Sequence, residues 1–494
     1  MRKAIQLCVA LFFSTLSVGW SQTRISILSS DITDIVKGAD NSRTYYLRGN
    51  VGLQQDVAKM YCDSAILVQP ANTFQAFGNV RIVQSDTIKV QGKRLDYNGN
   101  DREFIISKQV VLTTPTSRLE TTSLRFNRNT STAYFVTRST LERKTLALTA
   151  DVGSFNTEVD LVKLRGNVIA VDSTFKMTTD TLLYSPNKNN YEFAGPTEMI
   201  KDSTILNCRS GNYEADERLL HLRDGATMRA PGRFIKATTL EYNLRKEAGV
   251  LSGRAMVADT GEGFVLHSAY IDYASKPVYV DAFTPVYYRQ SMNSDTLYAM
   301  GDSLFIRSEN DTKRVLLNGD TQFFSDDFQG SSEDFVYDES TQFLSLFPTP
   351  ILWSAQSQFE ADSAALKLRD KQLDSIFMIG SVKIMNQTKD SVYFDQVVGK
   401  YLSGYFSDNK MKMVRLDGNT QSLLFNVSNE NAQGVNNSTC SWLRLKFNNG
   451  EVKRVQMARD VQATYSPIDQ AEATSLNGCV SRFGQRPTKA TVLP

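Results

Sequence analysis

The chain has 494 residues, of which 41% are hydrophobic and 22% are charged, a composition typical of a folded globular protein rather than a disordered one. Its 55 lysine and arginine residues nearly balance its 53 aspartate and glutamate residues, so the formal net charge is +2. This balance excludes the strong basic field with which proteins attract nucleic acid, and we expect no nucleic-acid partner.

The first residues have the pattern of a secretory signal peptide. Arg2 and Lys3 give a positively charged start, a short apolar run follows, and the small residues Gly19 and Ser21 suit a cleavage site. We therefore predict a signal peptide over residues 1–21; a buried N-terminal strand is the alternative. No other apolar stretch approaches the ~20 residues that a spanning helix needs, so we expect the mature chain to be soluble outside the cytoplasm.

Aromatic residues recur at a strict interval of 29 residues. The series consists of Tyr97, Phe126, Phe155, Tyr184, Tyr213 and Tyr242, with Val68 one step before them. A second marker with the same spacing consists of Gly49-Asn50-Val51, Gly78-Asn79-Val80 and, three intervals later, Gly166-Asn167-Val168. The aromatic series continues at slightly longer intervals through Tyr273, Ile306, Tyr337 and Leu368. Two independent markers with one period indicate roughly fourteen structural repeats between residues 40 and 465.

Within a repeat, apolar residues alternate with polar ones, as at Val80 and Ile82 and again at Ile88 and Val90. A period of two predicts half-buried strands, and no long segment has the 3.6-residue period of a helix. The Gly-Asn pairs between apolar runs are predicted to be turns. Because so short a repeat cannot bury its apolar face alone, we expect stacked copies that share one continuous interior, with the recurring aromatics as a ladder inside it.

Aspartate followed by serine or threonine recurs along the chain. These pairs begin at Asp63, Asp86, Asp172, Asp202, Asp295, Asp362 and Asp390. Calcium ligation is the functional alternative, but the dense Gly-Gly-X-Gly-X-Asp pattern of calcium-bound β-rolls does not occur. We favour turns in which each carboxylate accepts a hydrogen bond from its own backbone.

Four cysteines follow the predicted cleavage site: Cys62, Cys208, Cys440 and Cys479. Cys62 and Cys208 lie about five repeats apart and are expected on opposite strand faces. A disulfide between them is excluded, because it needs Cα atoms within about 7 Å of each other. A bridge between Cys440 and Cys479 stays open, since export permits disulfides.

Few residues suggest catalysis. His221 and His267 do not occupy equivalent positions in the repeat, and no Cys-X-X-Cys pair, nucleophile elbow or phosphate loop occurs. The acidic pair Asp326-Asp327 could serve a glycosidase, so a polysaccharide-processing β-helix is the enzymatic alternative. We predict a non-enzymatic protein with no catalytic residue, no metal site and no cofactor.

The repeat markers resemble a known family. The strings Tyr61-Cys62-Asp63-Ser64-Ala65, Ala76-Phe77-Gly78-Asn79-Val80 and Asp86-Thr87-Ile88 resemble the OstA/LptA-like proteins of Bacteroidetes-type bacteria, most clearly over residues 25–255. The repeated Gly-Asn-Val is similar to the N-terminal domain family of LptA and LptD. The resemblance implies a twisted, open β-jellyroll whose interior receives the acyl chains of lipopolysaccharide. It also implies LptD/LptC-like envelope proteins as partners, through edge-to-edge strand pairing.

We therefore predict an all-β protein, an elongated, twisted, open β-jellyroll built from stacked repeats of about 29 residues. The predicted domains are the signal peptide, a jellyroll array over 22–255, its continuation or a second lobe over 256–465, and a polar tail over 466–494. The residues expected to contact lipid are Val80, Ile82, Ile88, Val90, Tyr97, Phe126, Phe155 and Tyr184.

The predicted function is that of a periplasmic or outer-membrane-associated lipid binder in lipopolysaccharide transport or outer-membrane assembly. Exposed strand edges also favour self-association into homo-oligomers. A β-solenoid scaffold or adhesin with a filled core is the structural alternative, because the same stacked strands serve it equally well.

Overall fold

The computed structural model describes residues 24–39, 42–69, 71–85, 87–292, 295–309, 312–369, 372–388, 392–407, 410–428, 431–448 and 451–494. The predicted signal peptide, Asp86 and Asp390 lie outside these residues. The prediction of an all-β protein is confirmed, since 75% of the chain is strand. The described residues include three single-turn 3-10 helices, Pro186–Lys188, Ile468–Gln470 and Phe483–Gln485, and no α-helix.

The chain divides into two compact units. Unit 1 covers the described residues up to Ser173 together with Thr181–Pro186, and unit 2 covers Thr174–Asp180 together with Asn187–Pro494. The strands up to the division are β1 (Ser26–Ser29), β2 (Ile32–Lys37), β3 (Arg43–Gln55), β4 (Ala58–Gln69), β5 (Thr73–Gln84), β6 (Ile88–Asn98), β7 (Glu103–Thr113), β8 (Arg118–Asn127), β9 (Thr132–Phe135), β10 (Ser139–Arg143), β11 (Leu146–Ala150), β12 (Val152–Asn156), β13 (Leu161–Val171) and β14 (Lys176–Ser185), which has residues in both units.

The remaining strands belong to unit 2. They are β15 (Asn190–Lys201), β16 (Thr204–Glu214), β17 (Leu219–Arg223), β18 (Ala226–Ala230), β19 (Arg233–Ala237), β20 (Thr239–Asn243), β21 (Ala248–Asp259), β22 (Phe264–Ser275), β23 (Val278–Ser291), β24 (Thr296–Glu309), β25 (Thr312–Phe324), β26 (Gln329–Asp338), β27 (Phe343–Phe347), β28 (Ile351–Ser354), β29 (Ser357–Glu360), β30 (Ser363–Arg369), β31 (Gln372–Gln387), β32 (Phe394–Ser407), β33 (Lys410–Ser428), β34 (Asn431–Asn448), β35 (Glu451–Ala458) and β36 (Gln462–Pro467).

Long strands bend once, at a β-bulge near their middle. In β5 the register with β6 shifts between Phe77 and Val80, so the two halves of the strand pair separately. Within each unit, the strand halves that pair in line with residues 73–77 form one antiparallel sheet, which we call arm A. The strand halves on the other side of the bulge, in line with residues 80–84, form a second antiparallel sheet, which we call arm B. The two arms are joined at the bends, and hairpin turns lie at their free ends.

The prediction that the Gly-Asn pairs are turns between strands is wrong. Gly49-Asn50, Gly78-Asn79 and Gly166-Asn167 lie inside β3, β5 and β13, at the bends. Each glycine has a positive φ, 75° at Gly78. Glycine and asparagine adopt this conformation at low cost, so they mark the bulge rather than the end of a strand.

A carboxylate on the neighbouring strand supports many of these bends. Asp63 of β4 accepts hydrogen bonds of 3.3 and 3.0 Å from Asn79 Nδ2 and lies so close to Gly78 that a Cβ there would overlap it. The same contact joins Asp31 to Gly49, Asp151 to Gly166, Asp180 to Gly195, Asp302 to Gly319 and Asp362 to Gly380. The turn interpretation is therefore wrong for Asp63.

The other aspartates of the Asp-Ser and Asp-Thr series lie mostly between strands. Asp172, Asp202 and Asp295 occupy connections, as predicted, while Asp362 lies at the break between β29 and β30. Asp172 accepts a hydrogen bond of 2.6 Å from Thr145 Oγ1.

The 29-residue interval corresponds to two bent strands. Along arm A the register places Tyr97, Phe104, Phe126, Ala133 and Phe155 directly opposite one another in a single row. The predicted aromatic ladder is thus confirmed for these members. Two positions were misassigned, since Leu67 and Leu366 occupy the row rather than Val68 and Leu368.

Some bent strands are interrupted at the bend. β9 and β10 together replace one bent strand, and β12 and β11 replace the next, so that β8, β10, β11, β13, β12 and β9 form a small closed ring of six strands. The uninterrupted strands β8 and β13 connect the two arms on either side of each break.

Candidate functional site

The predicted lipid-contacting residues of arm B lie on its inner face. Val80, Ile82 and Val90 are buried, and Ile82 lies directly opposite Val90. Ile88 is half-buried near the free end of the arm. The alternation in the sequence therefore identified the inner face correctly.

The predicted aromatic residues lie on arm A and are buried as well: Tyr97, Phe126, Phe155 and Tyr184. Tyr97 and Phe126 pack against aromatic neighbours, with ring centroids 5.1 Å apart for Phe74 and Tyr97 and 5.3 Å apart for Phe104 and Phe126. The interior of unit 1 is therefore closely packed around these two rings.

Polar side chains connect the free ends of the two arms in unit 1. The Arg128 side chain is only 6% exposed, and it donates hydrogen bonds to Tyr97 Oη at 2.9 Å and to Gln84 Oε1 at 3.2 Å on arm B. Tyr97 in turn donates to Gln55 of arm B. Burial raises the pKa of Tyr97, so its hydroxyl stays protonated and available as a donor.

Ion pairs also connect the free ends of the two arms within each unit, along a line that we call the seam of that unit. Arg143 of arm B lies 2.6 Å from Asp160 at the end of arm A in unit 1. In unit 2, Arg233 lies 3.1 Å from Glu247. A hydrogen bond from Ser275 and the Arg233 guanidinium lower the pKa of Glu247. These charge pairs connect the free ends of the two arms. In an open jellyroll, a ligand would enter between those ends.

A cavity lies between the two arms of unit 2. It has two lobes, and both are lined by Leu297, Leu344 and Leu368. Tyr288 and Val315 complete the first lobe. The room left for an occupant is about 90 Å³ in the first lobe and 70 Å³ in the second, which suits a short stretch of acyl chain rather than a whole small-molecule ligand.

The mouth of the first lobe is polar. Lys313 Nζ of arm A lies 2.5 Å from Glu262 Oε2 of arm B, so this pair also belongs to the seam. Glu339 accepts a hydrogen bond of 2.8 Å from the Lys313 backbone N–H. Burial raises the pKa of Tyr288, whose hydroxyl donates to Gln290 Oε1 at 2.5 Å.

The second lobe is closed by aromatic contacts between the arms. Phe323 packs edge-on against Phe335 at 5.7 Å, and Phe328 packs edge-on against Phe406 at 6.5 Å. Asp295 and Asp327 also border this lobe, so both lobes combine an apolar wall with charged side chains at the free ends of the arms. Such a site suits a chain of methylene groups with a polar head.

Sequence reasoning missed this cavity because the resemblance is clearest before residue 256. A signal was available, since Tyr337 and Leu368 of the aromatic series both line the first lobe. In unit 1 a depression lies on the outer face of arm A instead, where Ile66, Gln75 and Ile105 contribute to its lining.

The titratable residues considered for catalysis are dispersed. His221 lies 3.7 Å from Glu214 and 3.8 Å from Glu241, while burial and the charges of Arg289 and Lys236 lower the pKa of His267. Asp326 and Asp327 are exposed in the β25–β26 turn. Within the described residues, no group of three or more histidine, cysteine or acidic side chains is arranged to hold a metal ion.

The four described cysteines are free and buried: Cys62, Cys208, Cys440 and Cys479. Cys62 and Cys208 form no disulfide, as predicted, but the expectation of opposite strand faces is wrong, since both side chains are buried. The repeat is not strictly 29 residues at this position, because Cys62 and its equivalent Gly92 lie 30 residues apart. The bridge left open between Cys440 and Cys479 is not formed. Burial raises the pKa of Cys62, Cys208 and Cys479 to about 11, which makes these thiols unreactive at neutral pH.

No helix among the described residues has the length and apolarity needed to cross a membrane. No curated protein matches the chain significantly. Among solved structures, the extracellular domain of a putative one-component system from B. thetaiotaomicron is similar at 7% identity, over 90% of this chain and 99% of that one; with a TM-score of 0.09, it supports no conclusion about fold or function. The family model of OstA-like proteins matches residues 22–180, and the resemblance recognised in the sequence is thereby confirmed: this part of the chain is an OstA-like protein domain.

Proposed function

We propose that this protein is a non-enzymatic envelope protein that holds the acyl chains of lipopolysaccharide or a similar lipid between its two arms. The observation that supports this most directly is the apolar cavity of unit 2, which opens at a charged mouth. Removal of acyl methylenes from water supplies the driving force, about 25 cal/mol per Å² of apolar surface.

The OstA-like domain supports the same function. Its resemblance to the LptA/LptD group implies lipid transport toward the outer membrane, and a place in the periplasm or at that membrane. The bent strands at Gly49 and Gly78 supply the two-armed interior that such a role needs.

The charged residues at the mouth favour lipid binding over a catalysed reaction. Lys313 and Glu262 neutralise one another, and deeper in the first lobe the lining is mainly apolar. When the pair opens, Lys313 is placed to meet a lipid phosphate while the acyl chains lie inside.

The proposed partners are LptD/LptC-like envelope proteins or a second copy, joined by strand pairing. Among the described strands, β2 pairs only with β3, and its side chains Ile32, Ile35 and Val36 are each 54% exposed. An apolar edge strand of this kind favours addition of a further strand.

A structural scaffold is the second candidate. The specific observation in its favour is the filled interior of unit 1, where Phe104 and Phe126 stack and Arg128 connects the arms. In that case unit 1 would act as a rigid spacer.

Titration with a fluorescent fatty acid tests the lipid proposal. Leu344→Trp places a larger side chain into the cavity and is expected to weaken binding at least about tenfold, equivalent to about 1.4 kcal/mol. Val159→Trp, at an exposed turn of unit 1 outside both cavities, is the control and should leave binding unchanged. Equal binding by both variants would contradict the proposed site.

A further inference from the structure

The last described residues of the chain cover the outer face of arm B in unit 2. Residues 468–494, which we call the C-terminal segment, contain no strand; two of the single-turn 3-10 helices lie in them. Val492 and Cys479 are nevertheless buried. The predicted polar tail therefore lies against the sheet.

The covered face is one row of side chains that lie directly opposite one another, which we call the outer row. It consists of Tyr298, Phe324, Gln329, Trp353, Gln358, Met385, Gln396 and Leu423. Trp353 is fully buried, and Gln358 and Gln396 are 1% and 3% exposed. A row that faces away from the interior is expected to meet water, so this burial is due to a cover.

Two glutamines of the outer row bind the main chain of the segment. Gln396 accepts a hydrogen bond from Leu476 N at 2.7 Å and donates one to Thr474 O at 3.2 Å. Gln358 repeats the pattern, accepting from Arg482 N at 2.7 Å and donating to Val480 O at 2.9 Å.

In both cases the glutamine carboxamide bonds the carbonyl oxygen of one segment residue and the backbone N–H of the residue two positions later. This spacing imitates a rung of a β-ladder, in which alternate residues of an extended chain face one neighbour. The Ser475 hydroxyl also donates to Gln396 Oε1 at 3.3 Å, but the four shorter contacts are with main-chain atoms, so most of this recognition does not depend on the side chains of the bound segment.

Two side chains in the later part of the segment add further contacts. Phe483 stacks on Phe394 with ring centroids 5.7 Å apart. Arg486 donates to Gln329 Oε1 at 2.8 Å through Nε and to Ala355 O at 2.8 Å through Nη1.

The equivalent row in unit 1 is different. On its arm B, the outward row contains the exposed polar residues Lys59, Lys89, Thr113 and Arg118 and one half-buried apolar residue, Val83. Of these two rows of described residues, only the one in unit 2 combines buried carboxamides with a tryptophan.

One polar group of the outer row has no hydrogen-bond partner even with the C-terminal segment in place. The indole N–H of Trp353 is buried and has no hydrogen-bond partner among the described residues. A buried donor without an acceptor is costly, which indicates that this face can accept a further carbonyl from a peptide. The C-terminal segment is held by the paired hydrogen bonds of Gln358 and Gln396, which we call the clamps, and by single side chains. Because no strand ladder holds it, we expect it to be among the least stable parts of the fold.

We propose that the outer row of arm B in unit 2 is a peptide-binding track for an extended polypeptide, which it holds through main-chain amides. The C-terminal segment occupies it within the same molecule, and the same segment of a second copy can replace it. This site is separate from the lipid cavity and does not depend on the lipid proposal.

Hydrogen exchange on the full chain tests the clamps individually. Gln396→Ala should speed exchange of the Leu476 amide about fivefold, and Gln358→Ala should do the same for Arg482. The exposed Gln91→Ala is the control and should change neither rate. Unchanged rates in both clamp variants would contradict the proposed recognition.

A second experiment tests whether the same segment of another molecule can replace the C-terminal segment. It weakens the contacts of the segment and leaves the residues of the outer row unchanged. Phe483→Ala/Arg486→Ala should expose Cys479 to a thiol reagent, detected by mass spectrometry, with buried Cys62 as the internal control. A fluorescent synthetic peptide of residues 472–487 should bind this variant at least about tenfold more tightly than the unchanged chain. Adding Gln358→Ala/Gln396→Ala should abolish that gain.

If the peptide binds neither chain, the track does not take a segment in trans, and the proposal is wrong. If it binds equally after the two glutamines are replaced, the main-chain clamps are not the recognition element, and the proposal is equally wrong. Should the loosened variant fail to fold, the single glutamine variants still decide the question through hydrogen exchange.

Discussion

The interiors of the two units differ although both are built from bent strands of the same kind. In unit 1 the row along arm A contains Tyr97, Phe104 and Phe126, and aromatic rings fill the space between the arms. In unit 2 the corresponding row passes through Val315, Tyr337 and Leu344, all of which line a cavity. The comparison shows that the same backbone repeat supports both a row of stacked rings and a row that borders free space, depending on how the side chains of the two arms fit together.

A leucine deletion in each unit should show the largest difference. Leu124→Ala, in the packed interior of unit 1, is expected to destabilise that unit by about 2–5 kcal/mol. Leu344→Ala should cost less in unit 2, because the leucine already borders empty space and loses fewer contacts. Hydrogen exchange resolved by unit, in increasing urea, measures both; equal losses would mean that the two interiors are packed alike.

A smaller difference is expected between two bends. Gly78→Ala forces an alanine into positive φ and against Asp63, so we expect a loss of about 2–4 kcal/mol in the free energy of unfolding. Gly225 also has a positive φ, but a Cβ there meets nothing within 4 Å, and Gly225→Ala should cost only about 1–2 kcal/mol. Denaturant midpoints of the two variants, measured side by side, check the order, and a reversed order would refute the role of the Asp–Gly contact.

The seam of unit 2 should give the smallest effect, visible as a dependence on pH. The folded-state pKa of Glu247 lies below its ordinary value of 4.5, so its pairing with Arg233 stabilises the protein above that pH. The stabilisation is lost as pH falls through the lowered pKa, and for a partly exposed pair it amounts to about 1 kcal/mol or less. Urea midpoints between pH 7 and 3 measure it, and Glu247→Gln should flatten this part of the profile.

Much of the architecture could be predicted from the sequence because it follows from local rules. The alternation at Val80, Ile82 and Val90 identified an inner face, and the spacing of Tyr97, Phe126 and Phe155 identified one row of the sheet. Both patterns are set by strand geometry, which repeats every two residues.

The remaining features depend on contacts between distant residues. The Gly-Asn pairs looked like turns because glycine with positive φ serves both turns and bulges, and only the partner strand distinguishes them. The cavity follows from the sizes of side chains brought together from both arms, such as Leu297 and Leu344. The clamps of Gln358 and Gln396 join residues about 80–120 positions apart, for which the sequence contains no periodic signal.

Photocrosslinking in the native envelope tests the central claim most directly. A diazirine amino acid is placed either at Leu297, in the wall of the unit 2 cavity, or at Val80, in the filled interior of unit 1. The account predicts that illumination adds the mass of an acylated lipid at position 297 and not at position 80. A lipid adduct at position 80 alone, or at neither position, would contradict it.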